Sequence, residues 1–261
     1  MSHSDIDKVF AGSIPRLYED YFVPLIFAPY APDLAGRVAA GTGVVTRALA
    51  DQLPAGTDIV ATDLNPGMLA TAAQVGTSRP VQWQQADAMQ LPFGDGEFDV
   101  VVCQFGVMFF PDKVHAFAEA RRVLRPGGAF LFNAWDRIED NEFADVVTGA
   151  LATLFPADPP RFMARTPHGY HDLATIQRDV RAGGFQAAAR IDTVAARSRA
   201  PSPREPAIAY CQGSPLRSEI EARDASRLDE ATDFCAAAIA RRFGTGPVDG
   251  KIQAHIAAVE C

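Results

Sequence analysis

Two mainly apolar runs joined by one helical stretch constrain this chain more than any other feature. The first run is Phe98-Asp99-Val100-Val101-Val102-Cys103-Gln104-Phe105, and the second is Ala129-Phe130-Leu131-Phe132-Asn133-Ala134. The first has no polar alternation through its middle, as expected for a parallel strand covered on both faces. A helix is predicted between them, from about Asp112 to Leu124, closed by Arg125-Pro126-Gly127-Gly128. The same alternation runs upstream. A helix is predicted over 44–53 and a short strand over 57–62, ending at Asp63. Asn65-Pro66-Gly67-Met68 then opens a helix, with Asn65 as its cap and Pro66 in its first position. The next strand, 81–85, ends just before Asp87. Strands alternating with helices call for an α/β fold with a doubly wound, mostly parallel sheet.

The 261 residues suit one elaborated domain, or a domain with a cap, and a 48% hydrophobic content can bury a full core. Residues 1–35 are expected as an N-terminal helical cap, broken by Pro15, Pro24, Pro29 and Pro32. Residues 36–135 form the α/β core. Residues 136–261 supply lid helices and the last strands, the latter predicted over 185–197 and 251–260. A formal net charge of −8 argues against a general nucleic-acid binder. The four cysteines are scattered without metal-ligand spacing, and no His, Asp and Glu cluster completes a ligand set, so no metal is expected. There is no basic-then-apolar leader and no apolar run of membrane-spanning length. The expectation is a cytoplasmic protein, monomer or homodimer, with no membrane or nucleic-acid partner.

Chemistry gathers where predicted strands end. Gly41-Thr42-Gly43 is a glycine turn opening a helix, and Asp63 follows about 20 residues later. Such a turn brings backbone close to a ligand, and such an acid can hold a ribose diol. Asp63-Leu64-Asn65, with Met68 behind it, is the second loop. Asp87-Ala88-Met89 is the third and Gln104-Phe105-Gly106 the fourth. A carboxylate at Asp87 can accept from an adenine amino group, while Met68 and Met89 offer soft apolar surface to the ring.

These loops resemble those of the class I S-adenosylmethionine-dependent methyltransferases, in particular the small-molecule enzymes with the pattern Asp-x-x-x-Leu-Pro-Phe-x-Asp-x-x-Phe-Asp. Here the pattern reads from Asp87 through Leu91-Pro92-Phe93 to Phe98-Asp99, and Glu119-Ala120-Arg121-Arg122-Val123-Leu124-Arg125-Pro126-Gly127-Gly128 follows. The resemblance implies a seven-stranded Rossmann-like sheet, S-adenosyl-L-methionine as cofactor and methyl transfer to a small molecule. It further implies that Gly41, Thr42 and Gly43 admit the methionine part. Asp63, with Leu64, holds the ribose, Asp87 and Ala88 meet the adenine, and Phe105 borders the sulfonium end. Met68 and Met89 flank the site. Asp99 and the segment Arg121 to Gly128 are structural, with Arg121 and Arg122 forming a solvated helix end.

One departure stands out. Where the family carries an acid and a first glycine, this chain has Arg37 and Ala39, and little sequence remains for a central strand unless it is compressed into 34–39. That opens a second reading, a catalytically impaired or non-catalytic member of the fold. A nicotinamide-dependent oxidoreductase is a third, because it shares an acid after the second strand, but it leaves the Asp87–Asp99 pattern unexplained. Methyl transfer needs alignment and a dry pocket, with a base only for some acceptors. His168 and His171, either side of Gly169-Tyr170, are the candidate bases. Tyr18, Tyr21 and Tyr210 are the candidate substrate-wall residues. Arg161 and Arg165 are expected as solvated loop cations, and His255 as buried or paired.

Overall fold

The computed structural model describes residues 12–30 and 43–261. The turn residues Gly41 and Thr42, the segment 34–39 and the departures at Arg37 and Ala39 all lie outside the described residues. The chain divides into two compact units. One gathers Tyr30, 43–135, Tyr170–Val194 and Ala254–Cys261; the other gathers 12–29, Asp136–Gly169 and Ala195–Gln253.

Most of the strand residues fall in the first unit. β1 (Val60–Asp63) and β2 (Gln82–Gln85) pair in parallel, with Asp63 opposite Gln85. β3 (Phe98–Gln104) pairs in parallel with β4 (Leu124–Trp135), from Phe98 opposite Leu124 to Gln104 opposite Asn133. β6 (Val248–Glu260) runs antiparallel to β4, and β5 (Arg190–Ala200) lies beyond it, in the order β3-β4-β6-β5. A single seven-stranded sheet is therefore not what the described residues form: they give a parallel pair and a mixed four-stranded sheet. The outer edges of β1 and β3 have no strand partner among the described residues. There is a second difference. β3, expected to be covered on both faces, is half-buried along most of its length, whereas β4 from Phe130 to Trp135 is buried.

The core of this unit is aromatic. Phe117, on the helix Lys113–Val123, lies 5.6 Å from Phe130 and 5.3 Å from Phe132 on β4, and Phe185 stacks on Phe130 at 5.9 Å. Rings at these separations stabilise the helix–sheet contact by about 0.5–1.5 kcal/mol a pair beyond the area they bury. Asp112 caps that helix, its carboxylate accepting from the His115 amide at 2.9 Å. The cap and the buried Phe117 face together fix where the preceding loop leaves β3.

The second unit is mostly helical. Residues Ile14–Leu17 lead into a wider turn over Tyr18–Phe27, where the Ala28 amide reaches back five residues to the Val23 carbonyl at 2.8 Å. The i→i+5 pattern accommodates Pro24, which has no amide to donate. Glu142–Leu154, Arg204–Gln212, Leu216–Asp224 and Leu228–Phe243 are the main helices. No helix among the described residues is long and apolar enough to cross a membrane.

Candidate functional site

The parallel register of β1 and β2 places two carboxylates at one sheet edge. Asp63 ends β1 opposite Gln85, the Ala86 amide donates to the Asp63 carbonyl at 3.1 Å, and Asp87 follows at once. Asp63 Oδ1 accepts from the Asn65 amide at 2.7 Å, and its second oxygen takes no hydrogen bond among the described residues. Burial pushes its carboxyl up to about 6, against a smaller downward pull from the Asn65 amide. A half-buried carboxylate with an open oxygen suits neutral hydroxyl donors, which relieve its desolvation without adding charge. Beside it Leu64 is 44% exposed, large for an apolar side chain, while Met68 is buried.

Asp87 is exposed and organises its own turn. Its Oδ1 accepts from the Met89 amide at 2.9 Å, and its carbonyl accepts from Gln90 at 2.9 Å. The Met89 carbonyl in turn accepts from His115 Nε2 at 2.8 Å, which assigns the proton to that nitrogen. His115 thus ties this loop to the helix behind it. Gly43, the described member of the glycine turn, has φ +87°, a left-handed conformation that glycine adopts without cost. An added Cβ there would lie 2.9 Å from Arg47 Nη1 and 3.2 Å from Ala72 Cβ.

The Asp87–Asp99 segment proves to be held by one arginine. Arg122 donates to the Leu91 carbonyl at 3.0 Å, the Phe93 carbonyl at 2.8 Å and the Asp95 carboxylate at 2.8 Å. It also meets Glu119 at 2.7 Å, and Glu119 accepts from the Leu91 amide at 2.9 Å. Arg122 is therefore not a solvated helix end, as the sequence suggested, but the hub of the loop. The reason is its planar fork, which can serve several carbonyls at once. Arg125 pairs with Asp99 at 2.6 Å, both largely exposed.

The fourth loop leaves β3 through Phe105, at φ 48° the one non-glycine residue with positive φ among the described residues. Its amide donates to Asn133 Oδ1 at 2.7 Å, and its ring stacks on Trp135 at 3.9 Å with 10° between the planes. Tyr30 meets both rings edge-on at 5.6 Å, and its hydroxyl donates to the Val194 carbonyl at 3.1 Å. A Cβ on Gly106 would sit 2.6 Å from Cys103 Sγ, so the turn needs glycine here for space. Burial pushes the Cys103 thiol up to about 12, with Asp63 adding to the effect. Lys113 Nζ donates to the Phe110 carbonyl at 3.0 Å and lies 4.8 Å from the Tyr170 ring centre. Burial lowers its amine below the usual range. Tyr170 in turn donates to Asp179 at 3.0 Å.

Asn133, Trp135, Lys113 and Tyr30 were not singled out from the sequence as site residues. Asn133 had a readable signal, since a polar residue inside an apolar strand must find a partner. The others had none before the turn was seen.

The two candidate histidines fall in different units. His168 is 4% exposed and its Nδ1 donates to the Asp136 carbonyl at 2.8 Å. His171 is half-buried, and the cap of the next helix is Asp172, which accepts from the Thr175 amide at 2.7 Å. In the helical unit Tyr18 stacks on Phe22 and Phe27 at 5.4 and 5.1 Å, and Tyr210, buried, meets Phe22 edge-on at 5.0 Å. Tyr21 is half-buried. Arg165 pairs with the buried Glu219 at 2.8 Å, whose other oxygen accepts from the Arg161 and Phe162 amides. Arg165 is thus a fixture of the loop and not a solvated cation. His255 is paired as expected, with Thr193 at 2.9 Å.

Known proteins carry the same core. Residues 37–132 match the family model described as a methyltransferase domain. An uncharacterized protein, Rv1405c, of Mycobacterium tuberculosis is 40% identical over 122 residues, 42% of this chain and 44% of that protein. The chain thus spans less than half the length of that relative. The ubiquinone/menaquinone biosynthesis C-methyltransferase UbiE of Stutzerimonas stutzeri is 27% identical over 69% of this chain and 75% of its own length. Among solved structures, the Haemonchus contortus phosphoethanolamine N-methyltransferase 2 in complex with S-adenosyl-L-methionine matches with TM-score 0.55 at 16% identity. It covers 99% of this chain and 60% of that one, a likeness of fold.

Proposed function

We propose that this chain, whose residues 37–132 match a methyltransferase domain, is a class I methyltransferase that binds S-adenosyl-L-methionine and transfers its methyl group to a small, partly apolar acceptor. The observation that carries the reading is the pairing of Asp63 and Asp87 at the ends of adjacent parallel strands. The residues fit the cofactor. Asp63 offers a half-buried carboxylate with an open oxygen to the ribose hydroxyls. Asp87 and the Ala88 amide meet the adenine, Leu64, Met68 and Met89 supply apolar surface, and Gly43 supplies the left-handed turn that opens the following helix.

When bound, this cofactor supplies an electrophilic methyl group and leaves as a neutral thioether. The protein's work is then alignment and exclusion of water, which together supply much of the rate. The Phe105–Trp135 stack forms an apolar wall at the end of β3. For a hydroxylated acceptor a proton must leave, and His168 and His171 are the candidate bases. Tyr18, Tyr21 and Tyr210 are candidate acceptor contacts. An aromatic acceptor of the quinol type is favoured, since a relative matched over 69% of the chain is named a ubiquinone/menaquinone biosynthesis C-methyltransferase. The experiment is incubation with the cofactor and a panel of quinols, phenols and amines, reading S-adenosylhomocysteine release. Turnover with a quinol and not with amines is expected. Cofactor binding with no turnover on any acceptor would favour the non-catalytic reading.

A further inference from the structure

We propose that Asn133 is a positioning residue for the cofactor site: its amide oxygen holds Phe105 in the left-handed turn that sets the Phe105–Trp135 wall. The inference rests on the cofactor reading above and extends it to a residue on the neighbouring strand.

Three observations converge. Phe105 has φ 48°, a left-handed conformation that is strained for a residue with a side chain. Something must hold it there, and strain of this kind persists only where the surroundings over-determine it. The Phe105 amide donates to Asn133 Oδ1 at 2.7 Å, and Asn133 is fully buried, so water cannot substitute for that acceptor. The ring then lies flat on Trp135, two residues beyond Asn133 on the same strand. Asn133 and Trp135 therefore point to the same face of β4 and grip Phe105 by its backbone and its ring respectively. Tyr30 lies at equal distance from both rings, 5.6 Å, which places it beside the stack and not over a face of it.

The orientation of the Asn133 amide is fixed by the same bond. An oxygen must face the Phe105 N–H, so Nδ2 points away from it. That Nδ2 is buried and has no hydrogen-bond partner among the described residues. A buried orphan donor is costly, and a residue that made only apolar packing would avoid it. Asparagine at this place in an otherwise apolar strand is thus explained by the acceptor it supplies and not by its donor.

The consequence is specific to charge. An aromatic face near a sulfonium attracts it through the ring quadrupole, while the thioether product carries no such charge. A displaced Phe105 ring should therefore weaken S-adenosylmethionine more than S-adenosylhomocysteine. The test compares Asn133→Leu, which removes the acceptor at similar size, with Asn133→Asp, which retains it. Titration calorimetry with both ligands is paired with near-ultraviolet circular dichroism, which reads the aromatic stack. The expected result for Asn133→Leu is about a tenfold loss of S-adenosylmethionine affinity, a loss of no more than about threefold for S-adenosylhomocysteine, and an altered dichroism band. Asn133→Asp should stay within about threefold of wild type for both ligands. Equal losses for the two ligands, or an unchanged Asn133→Leu, would overturn the inference. If Asn133→Leu does not fold, Asn133→Asp decides it: a folded variant with a tenfold loss means the acceptor oxygen is not what matters. A wild-type protein that binds neither ligand would instead remove the cofactor reading on which this one rests.

Discussion

Arg122 donates to the carbonyl of Leu91, 31 residues earlier, at 3.0 Å, and so binds the loop after β2 to the helix after β3. Together with its bonds to Phe93, Asp95 and Glu119, this contact explains why the loop pattern and the helix pattern occur in one chain.

Arg122→Ala should therefore lower stability by about 1–3 kcal/mol, with Arg122→Lys recovering less than half, because an ammonium cannot serve two carbonyls and two carboxylates in a plane. Thermal melts of both variants check this. The Arg122 bond, ahead of burial, holds the Glu119 carboxyl below its usual range. The stabilisation is thus present above the ordinary glutamate value and is lost as pH falls through the depressed one.

Asp63→Asn should cost about 1–3 kcal/mol in cofactor affinity, since asparagine offers one acceptor and a misplaced donor to the diol. Its melting temperature at pH 8 should not fall, because the replaced carboxylate is desolvated in the folded state. Asp99→Asn is the contrast. Its partner Arg125 is largely exposed, so both cofactor affinity and stability should change by less than about 1 kcal/mol.

The raised Asp63 carboxyl gives a pH signature. Its folded value, about 6, lies above the unfolded 3.8, so this group's contribution to folding is greatest below 3.8 and is lost as pH rises to 6. Cofactor binding should run the opposite way if it requires the carboxylate. Affinity should rise about tenfold between pH 5 and pH 7 and then level off, and Asp63→Asn should abolish that rise. Titrations at four pH values across that range check both.

How much of this could be read from the chain is plain at particular residues. The apolar runs announced β3 and β4, and the position of Asp63 and Asp87 at strand ends followed from where those runs and their neighbours stop. Spacing alone could not say that Arg122 turns inward, since a cation near a helix end reads the same whether it meets water or carbonyls. Nor could it give Phe105 a positive φ, which depends on an acceptor 28 residues away. The half-buried state of β3 was missed because apolar continuity reports how a strand is covered only when its neighbours are known.

Gly43→Ala should destabilise by about 1–2 kcal/mol through its left-handed φ. The flexible Arg47 end can move aside, whereas the Ala72 methyl at 3.2 Å gives less readily. Melts check the stability, and a parallel loss of cofactor affinity is expected if this turn faces the ligand.

The central claim, that Asp63 and the strand ends around it form an S-adenosylmethionine site, is tested most directly by calorimetric titration of the folded wild-type chain with that ligand at pH 7.5. The expected result is saturable one-site binding at about micromolar affinity that weakens in Asp63→Asn. Affinity weaker than about millimolar in a folded sample, or equal binding by wild type and Asp63→Asn, would contradict it.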